Sequence, residues 1–525
     1  MTSSGTTDDG PTRSGPSESS ALVGLSRAVT ILALALGTFM QVLDLSIANV
    51  SIPTIAGHLG VSSDQGTWII TSFAVANGVS VPLTGWLMQR FGVVRTFVLS
   101  TVAFTVASLL CGLAWSLSSL LIFRVLQGGL SGPMIPGSQA LLLSLYPPEK
   151  KGTGLAIWSM TTLVAPICGP ILGGYISDNY HWSWIFLINV PVGIFCAIVC
   201  WRSLKSHESP TKKQPIDRAG LVLLFLWVGS LQIVLDQGKD LDWFSSPIIV
   251  TFATLTAICL VAWLIWELDE PQPAVNLQLF RRRSFTLGTV MVCVTYAVYF
   301  GNVVLLPLWL QTDVNYTATW AGLVAAPSGV VAVLVAPLTG RLVARFDARL
   351  ISAFSFATFA VSYFWRAGYT QDASFVAFVC PLLVQGAALG LFFVSTLTIS
   401  LDGLAAEIIP AASGLSNFLR ITAGSFATSL TTTFWDRREA LHQSRLAETT
   451  TLLDPALQRA LQTLRASGAT DQVGEAILTG GMVQQGYLLS SLDLFYLSGW
   501  LVLLLIPLCF LVRRPVTAAG LVATD

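Results

Sequence analysis

Along this chain apolar residues run on for about twenty at a time, the length at which a helix crosses a bilayer. Such runs fall at roughly 28–49, 67–88, 96–114, 117–139, 152–176, 182–202, 218–235, 247–266, 285–309, 318–340, 350–367, 374–399, 409–434 and 492–512. The third and fourth are parted only by Trp115-Ser116. Backbone N–H and C=O groups have no water to bond in lipid, so all fourteen runs are expected to be helical. The pattern therefore predicts an all-α polytopic membrane protein with 14 transmembrane helices. Residues 1–27, rich in Ser, Thr, Gly and Pro, read as a disordered tail. The first apolar run, Ala28 to about Val50, is too long for a signal-peptide core and reads as a retained helix.

The chain repeats itself. Val81-Pro82-Leu83-Thr84-Gly85 closes the second run, with Arg90-Phe91 following; Ala336-Pro337-Leu338-Thr339-Gly340 closes the tenth, with Arg345-Phe346 following at the same spacing. Each copy stands at the end of the second helix of a six-helix set. Residues 28–202 and 284–512 thus form two parallel six-helix bundles, and 203–283 is a linker with two extra transmembrane helices. Lys and Arg collect in alternate loops, at Arg27, Arg90, Arg95, Lys150, Lys151, Arg281, Arg282, Arg283, Arg341 and Arg345 among others; the short loops on the opposite side hold only Lys239, with Arg366 at a helix end. That bias places both termini, including the 513–525 tail, in the cytoplasm. Residues 435–491 break the pattern as a long polar outer loop. Within it Asp454-Pro455 starts a short helix whose Leu457, Leu461 and Leu464 form an apolar stripe. That stripe either lies on its own domain or docks a partner.

Composition narrows the function. Only 11% of residues are charged, against about 25% in soluble proteins. Formal net charge is zero, which gives no footprint for nucleic acid. The eight cysteines all lie in apolar segments; Cys196 and Cys200 share a helix face, but no His or carboxylate completes a metal set. His58, His181, His207 and His442 are scattered over different loops. No phosphate-cradling loop exists, and no soluble domain holds a nucleophile and base. The chain is expected to be no enzyme, with no cofactor, no metal and no catalytic residue, so its power must come from a gradient.

Within the helices the ionisable residues stand out, because a buried charge costs about 2.5–3.5 kcal/mol on insertion scales and tends to be functional. Asp44 lies two turns below the outer end of helix 1, on one face with Gly37, Gln41 and Ala48. Burial raises a carboxylate pKa and a nearby cation lowers it, so a balanced carboxylate can load and release a proton. Arg124 in helix 4 sits at matching depth on a stripe with Gly128 and Gly132. It is the expected partner, or else it holds backbone carbonyls. In helix 5, Ala165, Gly169 and Gly173 recur every four residues beside Pro166 and Pro170, a seam for close packing or a hinge. Arg420 with Asn417 in helix 13 is a second polar site or a locked structural arginine. Gln41, Tyr296, Tyr299, Phe300, Trp309 and Gln385 are candidates for a substrate cavity.

Taken together these residues resemble the fourteen-helix drug:proton antiporters of the major facilitator superfamily, and within them the EmrB-type exporters. The similarity lies in Leu43-Asp44-Leu45-Ser46 through Pro53, Arg124-Val125-Leu126-Gln127-Gly128-Gly129, Gly169-Pro170-Ile171-Leu172-Gly173-Gly174, the stretch from Trp182 to Pro191, and Trp435-Asp436-Arg437-Arg438-Glu439. It implies the major facilitator fold, a proton-relay role for Asp44 and Arg124, and an antiporter motif at Gly169, Pro170, Gly173 and Gly174. It also implies a cytoplasmic loop motif at Gly85, Arg90, Gly92 and Arg95. That motif departs from the family pattern, with Gln89 where an Asp is usual and Asp347 in place of the repeat's second Gly. The implied function is proton-coupled export of hydrophobic, often weakly acidic compounds, antibiotics among them, across a bacterial inner membrane. The implied partners are a periplasmic adaptor protein and an outer-membrane channel. The rival reading is a dedicated exporter of one native metabolite, such as a siderophore or antibiotic.

Overall fold

The computed structural model describes residues 25–512 except 62, 148–149, 212–216, 240, 272, 371–372, 406–407, 450–454 and 467–469. Of the tails expected at 1–27 and 513–525, residues 1–24 and 513–525 lie outside the described residues, as does Asp454, whereas Leu25–Arg27 form the start of the first helix. Among the described residues the long elements are all helices and no strand occurs. They are α1 (Leu25–Val50), α2 (Ile52–Leu59), α3 (Ser63–Ser80), α4 (Thr84–Phe91), α5 (Val93–Gly112), α6 (Leu117–Ser131), α7 (Met134–Ser144), α8 (Lys151–Asn179), α9 (Trp184–Leu187) and α10 (Asn189–Leu204), then α11 (Arg218–Gln237) and α12 (Pro247–Asp269). After these come α13 (Arg283–Thr312), α14 (Ala318–Val343), α15 (Ala348–Arg366), α16 (Phe375–Leu401), α17 (Ile409–Thr449), α18 (Pro455–Ala466), α19 (Asp471–Leu503) and α20 (Ile506–Leu511).

Every apolar run falls on helix, though some are broken. The run at 67–88 is α3 plus α4, bent by 56° at Val81-Pro82-Leu83, where proline removes a backbone donor. The run at 117–139 spans α6 and α7. Ser116 starts it with a capping box: its hydroxyl accepts from the Ser119 backbone N–H, and the Ser119 hydroxyl accepts from the Ser116 N–H. On length and composition alone, nine described helices can cross a membrane, or ten with α3 and α4 as one bent span. The chain is a multi-pass membrane protein.

The two halves use the same set of helix pairings. In the first, α1 packs on α8 and α10, α3 on α6, and α5 on α6 and α10. In the second, α13 packs on α17 and α19, α14 on α16, and α15 on α16 and α19. Small residues permit these close crossings. A Cβ on Gly128 of α6, or on Gly132 just after it, would overlap Phe73 or Ser80 of α3. Between the halves, α11 packs on α12 and α3. A cluster of Val81, Leu224, Trp263, Val275, Phe285 and Ala412 joins this hairpin to both bundles.

The long polar loop expected at 435–491 is largely helical. α17 runs 41 residues, to Thr449, and α19 begins at Asp471, well before the apolar run at 492. No proline or glycine interrupts 436–449, and an N-cap at Thr470 accepts from the Val473 N–H. The short helix foreseen after Pro455 is α18. Its Leu457, Leu461 and Leu464 are half-buried, and Leu461 and Leu464 lie against Gly474 of α19. The apolar stripe therefore covers its own hairpin. The hairpin's foot is fastened to the bundle: Arg438 and His442 reach Asp493, Lys239 pairs with Asp436 at 2.9 Å, and Gln484 donates to the Asp313 carbonyl. Burial holds the Asp313 carboxyl above the ordinary carboxylate range, with the Thr312 hydroxyl pulling the other way. Burial, with Asp436 and Asp313 close by, does the same to Glu439.

Candidate functional site

Asp44 and Arg124 meet, both fully buried, with Arg124 Nη1 2.5 Å from Asp44 Oδ2. The guanidinium also donates from Nε to the Ile69 carbonyl (3.0 Å) and from Nη1 to Gln127 Oε1 (2.8 Å), and lies 4.4 Å from the Phe73 ring centre. Asp44 Oδ1 accepts from Gln127 Nε2 (3.1 Å) and Asn189 Nδ2 (2.9 Å). The Ser108 hydroxyl in turn accepts from both amides. The Asp44 carboxyl thus accepts three hydrogen bonds, one of them from the arginine. Gln127, Asn189 and Ser108 were not singled out from the sequence. Gln127 is legible afterwards, since it follows Arg124 by one turn and shares its face.

Two residues beyond Asp44, α1 meets α8. A Cβ on Gly169 would overlap Ser46, and one on Gly173 would lie 2.9 Å from the Ile47 carbonyl. Ala165 on the same stripe is fully buried. The Ser46 hydroxyl donates to the Pro166 carbonyl at 3.0 Å. Gly174 of the motif faces open space, and Pro170 lies within α8 one turn before it.

Pro166 also lines a cavity between the halves. Its walls are Thr162 and Pro166 of α8, Tyr296, Tyr299, Phe300 and Val303 of α13, Phe393 of α16 and Arg420 of α17. Closed in this state, it measures about 10 Å³, room for about one water. Arg420 is 3% exposed and sits over the rings of Tyr296 (4.7 Å), Phe393 (5.5 Å) and Trp158 (5.7 Å). Its Nη2 donates to Asn417 Oδ1 at 2.9 Å, while Nε and Nη1 have no acceptor. Asn417 donates to Gln139 Oε1 of α7 at 3.0 Å, a polar bridge between the halves.

The remaining cavity candidates go elsewhere. Gln385 bonds to Arg366, which ends α15 as expected but is 1% exposed and lies over the rings of Tyr363 (4.8 Å) and Phe495 (5.3 Å). Trp309 packs with Tyr369 and Phe378 in a separate core. Gln41 is buried one turn before Asp44 and does not line the cavity. Among the described residues, no carboxylate pairs with Arg366 or Arg420.

The repeated glycines meet the opposite half. A Cβ on Gly85 would lie 2.7 Å from Ala411 of α17, and one on Gly340 would lie 2.8 Å from the Gly152 carbonyl of α8. Helix 2 of each half thus closes on helix 5 of the other, at the arginine-rich end. Arg90 stacks near Trp86 (5.6 Å) and Phe91 (5.8 Å). The first residues of α5 are capped from across the bundle: Val94 N–H donates to Glu208 Oε1 (2.9 Å), Arg95 N–H to Oε2 (3.0 Å) and Val93 N–H to Ser209 (3.1 Å). Glu208 therefore supplies the carboxylate that Gln89 does not, and Gly92, with φ +94°, leaves room for it. Among the described residues no group of three or more His, Cys, Asp or Glu is placed to hold a metal ion.

Residues 34–428 match the sequence profile of the Major Facilitator Superfamily. Multidrug export protein EmrB of Escherichia coli K12 is 48% identical over 503 residues, covering 95% of this chain and 98% of that protein. The protein of the same name from Haemophilus influenzae is 50% identical over 478 residues, 90% of this chain and 94% of its own length. Fatty acid resistance protein FarB of Neisseria gonorrhoeae is 44% identical over 499 residues, 95% and 98% of the two chains. Among solved structures, an inward-facing, unoccupied bacterial homologue of the human lysosomal transporter Spinster aligns at a TM-score of 0.52 and 14% identity, covering 94% of this chain and all of that one. At that identity the likeness speaks for the fold alone.

Proposed function

The chain belongs to the major facilitator superfamily, and we propose that it exports hydrophobic compounds across a bacterial inner membrane in exchange for protons. The buried Asp44–Arg124 pair carries the reading, since it supplies a titratable group where a gradient is the only source of power. A proton arriving on Asp44 cancels the charge that Arg124, Gln127 and Asn189 hold in place, and frees α1 from α6 and α10. Movement of α1 reaches the cavity through Ser46 and the Pro166 carbonyl. Gly169 and Gly173 keep α1 and α8 moving together. The gates are the crossings at Gly85–Ala411 and Gly340–Gly152, which must part for the cavity to open toward the arginine-rich, cytoplasmic side. A potential of 100 mV supplies about 2.3 kcal/mol per charge. At about 1.36 kcal/mol per tenfold, one proton sustains a gradient of about 50-fold.

Arg420 gives the cavity its selectivity. Two unpaired N–H groups beneath aromatic rings suit an apolar molecule with an acidic group. The relatives named for multidrug export and fatty acid resistance fit such a cargo. In this reading the termini are cytoplasmic. The hairpin formed by the end of α17, α18 and the start of α19 faces a periplasmic adaptor, itself joined to an outer-membrane channel. Inverted vesicles holding the protein, given a set pH gradient and a panel of acidic, neutral and basic hydrophobic compounds, test the function. Uptake that collapses with the gradient is the expected result. Uptake indifferent to the gradient ends the antiport reading, and uptake of a single compound favours the dedicated exporter.

A further inference from the structure

The two helices between the halves hold a pair of carboxylates that the transport cycle above does not use. Asp217 is the N-cap of α11. Its Oδ1 accepts from the Gly220 N–H (2.8 Å) and from Trp266 Nε1 (3.0 Å), while its Oδ2 is buried with no donor. Glu267, near the end of α12 and 3% exposed, accepts through Oε2 from the Val275 N–H at 3.3 Å. Its Oε1 also has no donor. The two undonated oxygens converge over Gly220: a Cβ there would overlap Asp217 Oδ2 and lie 2.9 Å from Glu267 Oε1.

No lysine or arginine pairs with either carboxylate among the described residues. From α11, Arg218 is exposed; from α12, half-buried Glu270 adds negative charge. Arg281, in the turn after Val275, is exposed too. The remaining nearby donor, Trp263 Nε1, lies close enough to favour the ionised Glu267 but falls outside hydrogen-bond geometry, so it leaves Oε1 without a full donor. Two ionised carboxylates sharing the space over Gly220 would repel, and both oxygens would stay unsatisfied. One proton answers both faults, bonded to one oxygen and donated to the other.

We propose that Asp217 and Glu267 form a proton-binding site separate from Asp44, holding one proton between Asp217 Oδ2 and Glu267 Oε1. The proton clasps the linker hairpin to the segment that enters the second half. With it in place, Glu267 keeps its hold on Val275, which packs in one cluster with Val81 of the first half and Phe285 and Ala412 of the second. Without it, repulsion pushes Glu267 away from Asp217 and loosens that hold. The clasp operates whatever the cargo.

The test uses the purified full chain in lipid nanodiscs, followed by infrared spectroscopy and thermal melting. The wild type is expected to show a protonated-carboxyl band at neutral pH. Glu267→Gln and Asp217→Asn should each lose part of it, whereas Asp44→Asn should leave that part in place. Because the folded state binds the extra proton, wild-type melting temperature should fall as pH rises. That fall should be smaller in Glu267→Gln, whose amide neither titrates nor repels. If Glu267→Gln does not accumulate, Gly220→Ala keeps both carboxyls while its methyl invades the gap, and the same part of the band should go. An unchanged band in Glu267→Gln and Asp217→Asn overturns the proposal. So does a wild-type melting temperature that, at fixed pH, rises when sodium or potassium replaces choline, since the occupant would then be a cation.

Discussion

The interiors of the two halves differ more than their backbones do. Both use the same helix pairings, and each closes on the other through a repeated glycine. Yet the first half buries an arginine whose charge is met by Asp44, and the second buries Arg366 and Arg420, with which no carboxylate pairs among the described residues. In the first half the carboxylate is donated to by Arg124, Gln127 and Asn189. In the second, Arg420 keeps two N–H groups without acceptors and rests on aromatic faces. A compensated pair can exchange a proton for its internal partner. An uncompensated cation waits for an anion from outside. In the proposed cycle the same scaffold, doubled, carries a proton side and a cargo side.

The largest effect should follow from removing the titratable group. Asp44→Asn keeps the shape and an acceptor for Arg124 but cannot load a proton. Gradient-driven uptake into vesicles should fall to the level of empty membranes while the protein remains folded and inserted. Wild-type uptake by a well-expressed Asp44→Asn protein would move proton coupling elsewhere. Next in size is Arg124→Lys. A compact ammonium lacks the planar fork that reaches the Ile69 carbonyl from Nε and Asp44 and Gln127 from Nη1, and each hydrogen bond to a charged group that is lost costs about 1.5–3 kcal/mol. Cargo-driven proton release in liposomes should drop by at least about tenfold, given that 1.36 kcal/mol is tenfold. Undiminished release would mean that charge alone suffices.

A smaller and more selective effect is expected at Arg420. Hydrogen bonds to charged groups contribute about 1.5–3 kcal/mol, so Arg420→Gln should weaken transport of acidic compounds by roughly 10–100-fold in apparent affinity. Neutral hydrophobic compounds should be carried nearly as before. Equal losses for both classes would make Arg420 a structural arginine and remove the chemical contrast between the halves.

Much of this was legible in the sequence, for a physical reason: lipid forces long apolar runs and makes every buried charge conspicuous. The runs, the repeated Gly85 and Gly340, and the pairing of Asp44 with Arg124 at equal depth all follow from that. Neutral polar residues are cheaper to bury and so less conspicuous. Gln127, Asn189 and Ser108 complete the ion pair, yet in sequence they read as part of apolar helices. Arg366 does end α15, but its burial is not legible there, because it comes from α16 and α19 packing over that end. The helical reach of α17 and α19 beyond the apolar runs is invisible to hydropathy, which tracks lipid contact, whereas helix formation in 436–449 needs only the absence of breakers.

The smallest effect on transport itself is expected at the hairpin, which sharpens the comparison by lying outside both interiors. α18 covers its stripe on α19, leaving Gln458, Arg459 and Gln462 exposed on its other face. The hairpin's foot is anchored by Arg438, His442 and Asp493, so its upper part can be cut back without loosening the bundle. Replacing 450–469 with a short flexible link should therefore leave uptake into proteoliposomes within about twofold of wild type, a change of well under 1 kcal/mol. In cells, where the proposed adaptor would be engaged, the same protein should confer less resistance. A photo-crosslinker placed at exposed Gln462 should capture a co-expressed adaptor, whereas one at half-buried Leu461 should report mainly on α19. If the shortened protein fails equally in liposomes and in cells, the hairpin belongs to the transport cycle of the second half. The division into a proton side, a cargo side and a separate docking element would then have to be redrawn.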